Sequence, residues 1–229
     1  YNHAIRNLLV TTNPAQPLRG AIARAPVEHH RHLSEKELGA FWRKLDEQGA
    51  HTTTIAATKL LLLTMTRKSE LLRSKWPEFD LDGRLWTIPA DHMKRAKSHM
   101  VPLSDAALAV LAKADALRLE GTDVVFPGVA GNAMSDMTLL KVLRDMSEPF
   151  HVHGFRSAFT DWAANEGFAD AVVEAALAHK TPDAVQAAYR RTTYLGAPGQ
   201  PGARVKLMEA WSRYCSGKVG SDGSCASSG

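Results

Sequence analysis

From Ile55 to Met65 the chain reads IAATKLLLLTM. This apolar run is too short to cross a bilayer and carries Lys59 within it, so it belongs in a protein core. The pattern predicts a helix over Thr52–Met65, buried nearly all round because Leu60, Leu61, Leu62 and Leu63 leave it no polar face. With 45% hydrophobic residues, the 229-residue chain has material for one large domain or two small ones.

Helical signals recur on both sides of this run. Ser34-Glu35-Lys36-Glu37 is a capping box, and Leu38, Phe41, Trp42 and Leu45 follow at helical spacing until Gly49 stops them. A helix beyond Arg67 is predicted to run through Leu72–Trp76 and end at Pro77. Ser104 caps a helix from Asp105 to about Leu119, and Ser135 or Asp136 opens another through Met146. Between them, Phe79–Gly83 has Asp-Gly turn chemistry, Leu85–Pro89 reads as a strand and His99–Leu103 as its hairpin partner. The fold class expected is mainly α with a small antiparallel β-sheet. Asn13-Pro14, Pro17 and Pro26 break up residues 1–32, which read as a linker leaving an earlier domain. Residues 33–216 form the domain proper, and the Gly/Ser-rich residues 217–229 read as a disordered tail.

A formal charge of +4 and a sequence pI of about 9.1 favour a polyanionic partner without fixing where the charge lies. Cys215 and Cys225 have neither metal-ligand spacing nor a disulfide framework, and no secretory signal opens the chain; the compartment expected is the bacterial cytoplasm. Glu28–His32 (EHHRH) clusters histidines, but adjacent histidines on an irregular segment seldom converge on one ion, so no metal and no cofactor is expected.

The chemistry concentrates between His151 and Arg191. Helices are predicted over His153–Gly167, Asp170–Ala178 and Asp183–Arg190, the last opened by Thr181-Pro182. They carry His153 and Arg156 three residues apart, His179 at a helix C-terminus, Tyr189, and the basic pair Arg190-Arg191. A guanidinium, two imidazoles and a phenol make poor core packing and good company for a phosphodiester. Upstream, Arg67 sits at the end of the buried run with Glu70 three residues on, placed to orient or neutralise it; alone, that pair reads as a surface salt bridge. Lys94, Arg95 and Lys97 project from the hairpin tip, either as a solvated loop guarding sheet edges or as a cation delivered to a groove.

Taken in order, Arg67 with Glu70, Lys94 on its hairpin, His153-x-x-Arg156, Leu177-Ala178-His179 and Tyr189 resemble the catalytic domain of tyrosine recombinases of the phage and prophage integrase type. WTIPA followed by Met93-Lys94, VPLS, VHGFRS and AAYRR add to the likeness, which covers Pro14 to Cys215. The resemblance implies a site-specific DNA strand transferase that needs neither metal nor ATP. Tyr189 would attack phosphorus, Arg67 and Arg156 would hold the non-bridging oxygens, Lys94 would protonate the leaving 5′-oxygen, and His153 and His179 would serve the phosphate or the tyrosine proton. Arg95, Lys97, Arg190 and Arg191 would contact DNA. Double-stranded attachment sites, a tetramer on DNA built from protomers that are monomeric alone, accessory DNA-bending or excisionase proteins, nucleoid association and a preceding core-binding domain follow from the same likeness. A catalytically silent DNA-binding regulator and a type IB topoisomerase-like relaxase are the alternatives. Tyr194 is a rival nucleophile, and the Gly/Pro stretch after it clouds the placement of a final helix at Arg204–Tyr214.

Overall fold

The structure, a computed structural model, describes residues 1–18, 35–47, 49–94, 96–128, 131–146, 154–179, 193–197 and 199–217. The chain divides into two units, Tyr1–His30 and Arg31–Gly229. In the first, α1 (Asn2–Arg6) is a single turn. Asn13 follows it with an Asx turn, its side chain accepting from Ala15 N–H at 3.0 Å, so the chain turns where Pro14 forbids helix.

The second unit is built around the predicted apolar helix. α2 (Glu35–Glu47) packs on α3 (Thr52–Thr64) and buries Leu38, Phe41 and Leu45. Leu60, Leu61, Leu62 and Leu63 of α3 are all buried, each contributing roughly 1.5–3 kcal/mol by leaving water. Lys59 survives in this helix by placing its Nζ over the Trp42 ring, 4.5 Å from its centroid, and pairing with Asp46. Thr58 and Thr64 donate back to the carbonyls four residues earlier, both at 2.8 Å. The helix closes at Met65 in the left-handed region, φ 53°.

α4 (Lys68–Leu72) is shorter than its apolar pattern suggests. The chain leaves the helix because Trp76 N–H bonds Asp123 O at 2.9 Å and Val125 N–H bonds Ser74 O at 3.0 Å. The sheet has three strands in the order β1-β2-β3, all antiparallel: β1 (Phe79–Asp80), β2 (Leu85–Ile88) and β3 (His99–Pro102). The two-residue β1 is an addition to the predicted hairpin; Phe79 stacks on Trp86 at 4.9 Å. α5 (Asp105–Asp115) stops four residues before its predicted end, with Leu117 and Leu119 exposed. α6 (Asp136–Asp145) starts at a Ser135 cap, as expected.

α7 (Gly154–Asn165) and α8 (Asp170–Ala176) lead to the final helix, α9 (Ala203–Cys215). The Gly/Pro stretch does not displace α9. It folds back as a hairpin of β4 (Gly196–Ala197) with β5 (Gln200–Pro201), in which Gly202 passes so close to the Tyr194 carbonyl that a Cβ would overlap it. α9 then crosses α3, α5, α7 and α8. Trp211 donates to Leu62 O at 2.7 Å and, with Phe159, Trp162 and Tyr214, forms an aromatic cluster joining α7 to α9. Cys215 ends the helix fully buried, where desolvation pushes its thiol upward. Among the described residues no helix is long and apolar enough to cross a membrane. The Ser34 cap, the EHHRH cluster and Cys225 lie outside the described residues.

Candidate active site

Arg156 is the centre of the site. It sits in the first turn of α7, 7% exposed, on a helix whose Phe155 and Phe159 are buried as well. Nη1 donates to Met65 O and Nη2 donates to Leu177 O at 2.6 Å. These carbonyls stand just beyond the C-termini of α3 and α8. The chain is left-handed at Met65 (φ 53°) and again at Ala178 (φ 50°), and both are non-glycine residues that adopt this conformation at a cost of about 1 kcal/mol or more. The turns present carbonyls that no helix uses, and helix C-termini carry partial negative charge. That is how a guanidinium is buried here with no carboxylate in direct contact among the described residues.

Arg67 lies two residues beyond Met65, so the Met65 carbonyl brings the two arginines together. Glu70 orients Arg67 from below: its carboxylate accepts from Arg67 N–H at 2.8 Å and from Arg67 Nη1 at 2.7 Å. Glu70 is 2% exposed whereas the Arg67 side chain is 32% exposed, so the pair points a cation outward from a buried anchor. The surface-salt-bridge reading is therefore too weak for Glu70. Burial first, then the neighbouring Arg67 charge, lowers Arg156 to about 10, with Glu70 and Glu174 pulling the other way; it stays protonated at neutral pH.

His179 joins the pair. Its Nε2 lies 3.1 Å from Arg156 Nη2, and its Nδ1 lies 3.2 Å from the Glu174 carboxylate. A guanidinium only donates, so Nε2 accepts and the ring proton of the neutral form sits on Nδ1, facing Glu174. α8 ends at Ala176, two residues sooner than its pattern implied, and that early end frees Leu177 O and swings His179 back to Arg156.

Lys94 is exposed on the loop between β2 and β3. At the foot of that loop His92 Nδ1 lies 3.5 Å from Glu78 without a hydrogen bond, and the other Glu78 oxygen accepts from Trp86 Nε1 at 2.9 Å. Burial raises the Glu78 pKa. No described contact joins Lys94 or Lys97 to the arginines. His153, Tyr189, Arg95, Arg190 and Arg191 lie outside the described residues. Tyr194 is half-buried against the core at φ 57°.

Three residues with a part here carry no motif. Glu174 partners His179 from one turn up α8. His99 on β3 donates from Nε2 to Ala176 O at 3.2 Å. Burial first, then Arg204, with smaller pushes from Arg156 and Arg67, lowers His99 from 6.5 to about 4. Arg204, at the start of α9, is 3% exposed and lowered to about 10 by burial. Its place on the predicted hairpin strand was the one available signal for His99; nothing local marked Arg204. A cavity of about 800 Å³ lies away from these groups among α2, α3, α5 and α9, lined by Trp42, Ile55, Val110 and Arg213.

A family profile described as the phage integrase family matches residues 31–195. The integrase of Enterobacteria phage P4 is 31% identical over 93% of this chain and 51% of its own length. Prophage integrase IntA of Escherichia coli K12 is 38% identical over 66% of this chain and 36% of its own. The chain thus spans about half or less of the curated relatives it matches. Among solved structures, the integrase of mycobacterium phage Brujita superposes with a TM-score of 0.61 at 18% identity, over 91% of this chain and 67% of that one. A lambda integrase dimer bound to a COC′ core site gives 0.58 at 18% identity, over 79% and 67%. These likenesses establish the tyrosine recombinase fold, and the sequence match establishes more: the chain belongs to the phage integrase family.

Proposed function

We propose that this chain cuts and rejoins DNA strands at specific sites through a covalent 3′-phosphotyrosine. The observation that carries the reading is the Arg67–Arg156–His179 cluster, in which two guanidiniums and an imidazole converge where two helix ends meet, in a member of the phage integrase family. Phosphoryl transfer asks for positioning and charge stabilisation, and paired guanidiniums supply the charge that a metal ion would otherwise supply. The Tyr189 oxygen bonds to phosphorus as the P–O5′ bond breaks, and the 5′-oxygen leaves with a proton from Lys94. A 5′-hydroxyl from another strand reverses the step. His153 and His179 hold the phosphate or manage the phenol proton. The partial burial of Tyr194 against the core favours Tyr189 as the nucleophile.

The partner is double-stranded DNA at attachment sites, contacted by Arg95, Lys97, Arg190 and Arg191, with a tetramer assembling on DNA and bending or excisionase proteins assisting. Residues 1–32 serve as a linker from a core-binding domain, and the protein works at the nucleoid in the bacterial cytoplasm. The test uses a nicked duplex that traps the covalent intermediate. Wild type forms a denaturant-stable adduct and Tyr189→Phe does not, whereas Arg67→Ala and Arg156→Ala keep some binding and lose cleavage. An adduct that survives Tyr189→Phe and disappears in Tyr194→Phe refutes the assignment.

A further inference from the structure

Arg204 spends a buried guanidinium on two backbone carbonyls. Nη2 donates to Met100 O on β3, and Nη1 donates to Thr193 O at 3.2 Å. Its own N–H bonds Tyr194 O at 3.0 Å. No carboxylate pairs with it, and its buried Nε has no partner, among the described residues. As a source of stability this is a poor arrangement, because burying a cation costs several kcal/mol and an apolar side chain of the same volume avoids that cost. What an apolar side chain cannot do is bridge two carbonyls, one eleven residues away along the chain and the other 104. A planar fork with fixed donors does so at defined geometry.

The two bridged points have a common meaning. Thr193 lies four residues beyond Tyr189. Next to Met100 on the same strand, His99 holds Ala176 O, three residues before His179. Adjacent residues of β3 therefore grip the chain on both sides of the segment that carries the tyrosine. The same strand leads back to the loop that carries Lys94.

We infer that Arg204 is a positioning residue for strand cleavage: by fastening Thr193 to β3, it sets where the chain leaves the tyrosine-bearing segment relative to the Arg67–Arg156 pocket. This rests on the reading of Tyr189 as nucleophile. Four residues of chain reach at most about 14 Å, so the position of Thr193 bounds how far from β3 the tyrosine can be delivered. A 1 Å misplacement of a reacting group can cost about 100-fold in rate.

The test separates delivery of the tyrosine from activation of the phosphate. The 229-residue chain is mixed with nicked duplexes of randomised core sequence at low salt, and single-turnover adduct formation is followed beside duplex affinity. Arg204→Met is expected to slow adduct formation by about 10- to 100-fold with affinity within about twofold of wild type. Arg204→Lys, which reaches one carbonyl at a time, falls between. In a Tyr189→Phe background hydrogen peroxide replaces the phenol: a peroxide oxygen bonds to phosphorus, the P–O5′ bond breaks, and the 5′-oxygen departs with a proton. That peroxide cleavage is expected to be the same with Arg204 or Met at position 204. Unchanged adduct formation in Arg204→Met overturns the inference, as does an equal loss of peroxide cleavage, which makes Arg204 a support of the whole pocket. If Arg204→Met does not melt cooperatively, Arg204→Lys carries both comparisons. An adduct that persists in Tyr189→Phe overturns the nucleophile assignment and the inference together; an inert Tyr189→Phe with fully active Arg204 variants overturns the inference alone.

Discussion

Acidification should cost this protein stability through His99, by an amount the structure sets. Burial of the imidazole, which donates to Ala176 O, together with repulsion of its charged form by Arg204 and more weakly by Arg156 and Arg67, lowers its pKa from 6.5 to about 4. Above about pH 6.5 both folded and unfolded chains carry a neutral ring, and His99 adds no pH dependence. Below that, the unfolded chain takes up a proton that the folded chain refuses, so stability rises with pH across this window and is lost as pH falls from 6.5 towards 4. A gap of two to three pKa units corresponds to about 3 kcal/mol, of which between about 2 and 3 kcal/mol is gone by pH 4.5. For a domain of marginal stability that is a sizeable share.

The control is His99→Gln, whose side-chain N–H can donate to Ala176 O and does not titrate. Equilibrium urea unfolding of both proteins at about pH 7, 5.5 and 4.5 reads the difference. Near pH 7 the two should lie within about 1 kcal/mol of each other. By pH 4.5 His99→Gln should have gained between about 2 and 3 kcal/mol relative to wild type, with unchanged denaturant slopes. Parallel pH profiles for the two proteins would refute the reasoning, because they would mean that His99 accepts its proton in the folded state at little cost.

Other perturbations probe the braces around the site. Arg156→Lys replaces a fork by a single ammonium that cannot serve Met65 O and Leu177 O together; it should lower stability by about 1–3 kcal/mol in a thermal melt and slow adduct formation by at least about 100-fold. Glu70→Gln keeps an acceptor for Arg67 N–H but removes the charge opposite its guanidinium. Adduct formation should slow by about tenfold while duplex affinity does not fall, as judged by titration at two salt concentrations. Trp211→Phe leaves the buried Leu62 carbonyl without its donor and should cost about 1–3 kcal/mol by urea unfolding. Gly202→Ala drives a methyl group into the Tyr194 carbonyl and should lower the melting temperature more than Gly199→Ala, where a Cβ meets nothing.

Residue types and their order were legible in the sequence, and so was the buried helix on which the site is built. Long-range backbone pairing was not. The apolar pattern beyond Arg67 runs on to Trp76, yet α4 ends at Leu72 because the chain at Ser74–Trp76 is drawn onto residues 123–125, a pairing with no local signature. β1 was hidden for the same reason: two residues inside a turn become a strand only because Trp86 and Leu85 lie opposite them. The predicted strand pair and the Asp80–Gly83 turn needed only local information, and both are present.

The least legible feature is the one the site depends on most. A helix end is read from glycine, and neither α3 nor α8 has one: Met65 and Ala178 take the left-handed turn without it. Each turn exposes a carbonyl, and Arg156 binds both. The same turns aim Arg67 and His179, which follow them by two residues and one. So the guanidinium that would hold a phosphate also holds the two turns that place its partners. If those turns were closed by glycine, they would form at lower backbone cost and need Arg156 less. With methionine and alanine there, the site's geometry is coupled to the arginine, and a change at Arg156 should displace Arg67 and His179 as well as remove a charge. Crystal structures of Arg156→Lys and Arg156→Lys/Met65→Gly would separate these contributions: glycine should restore the Arg67 position without restoring cleavage.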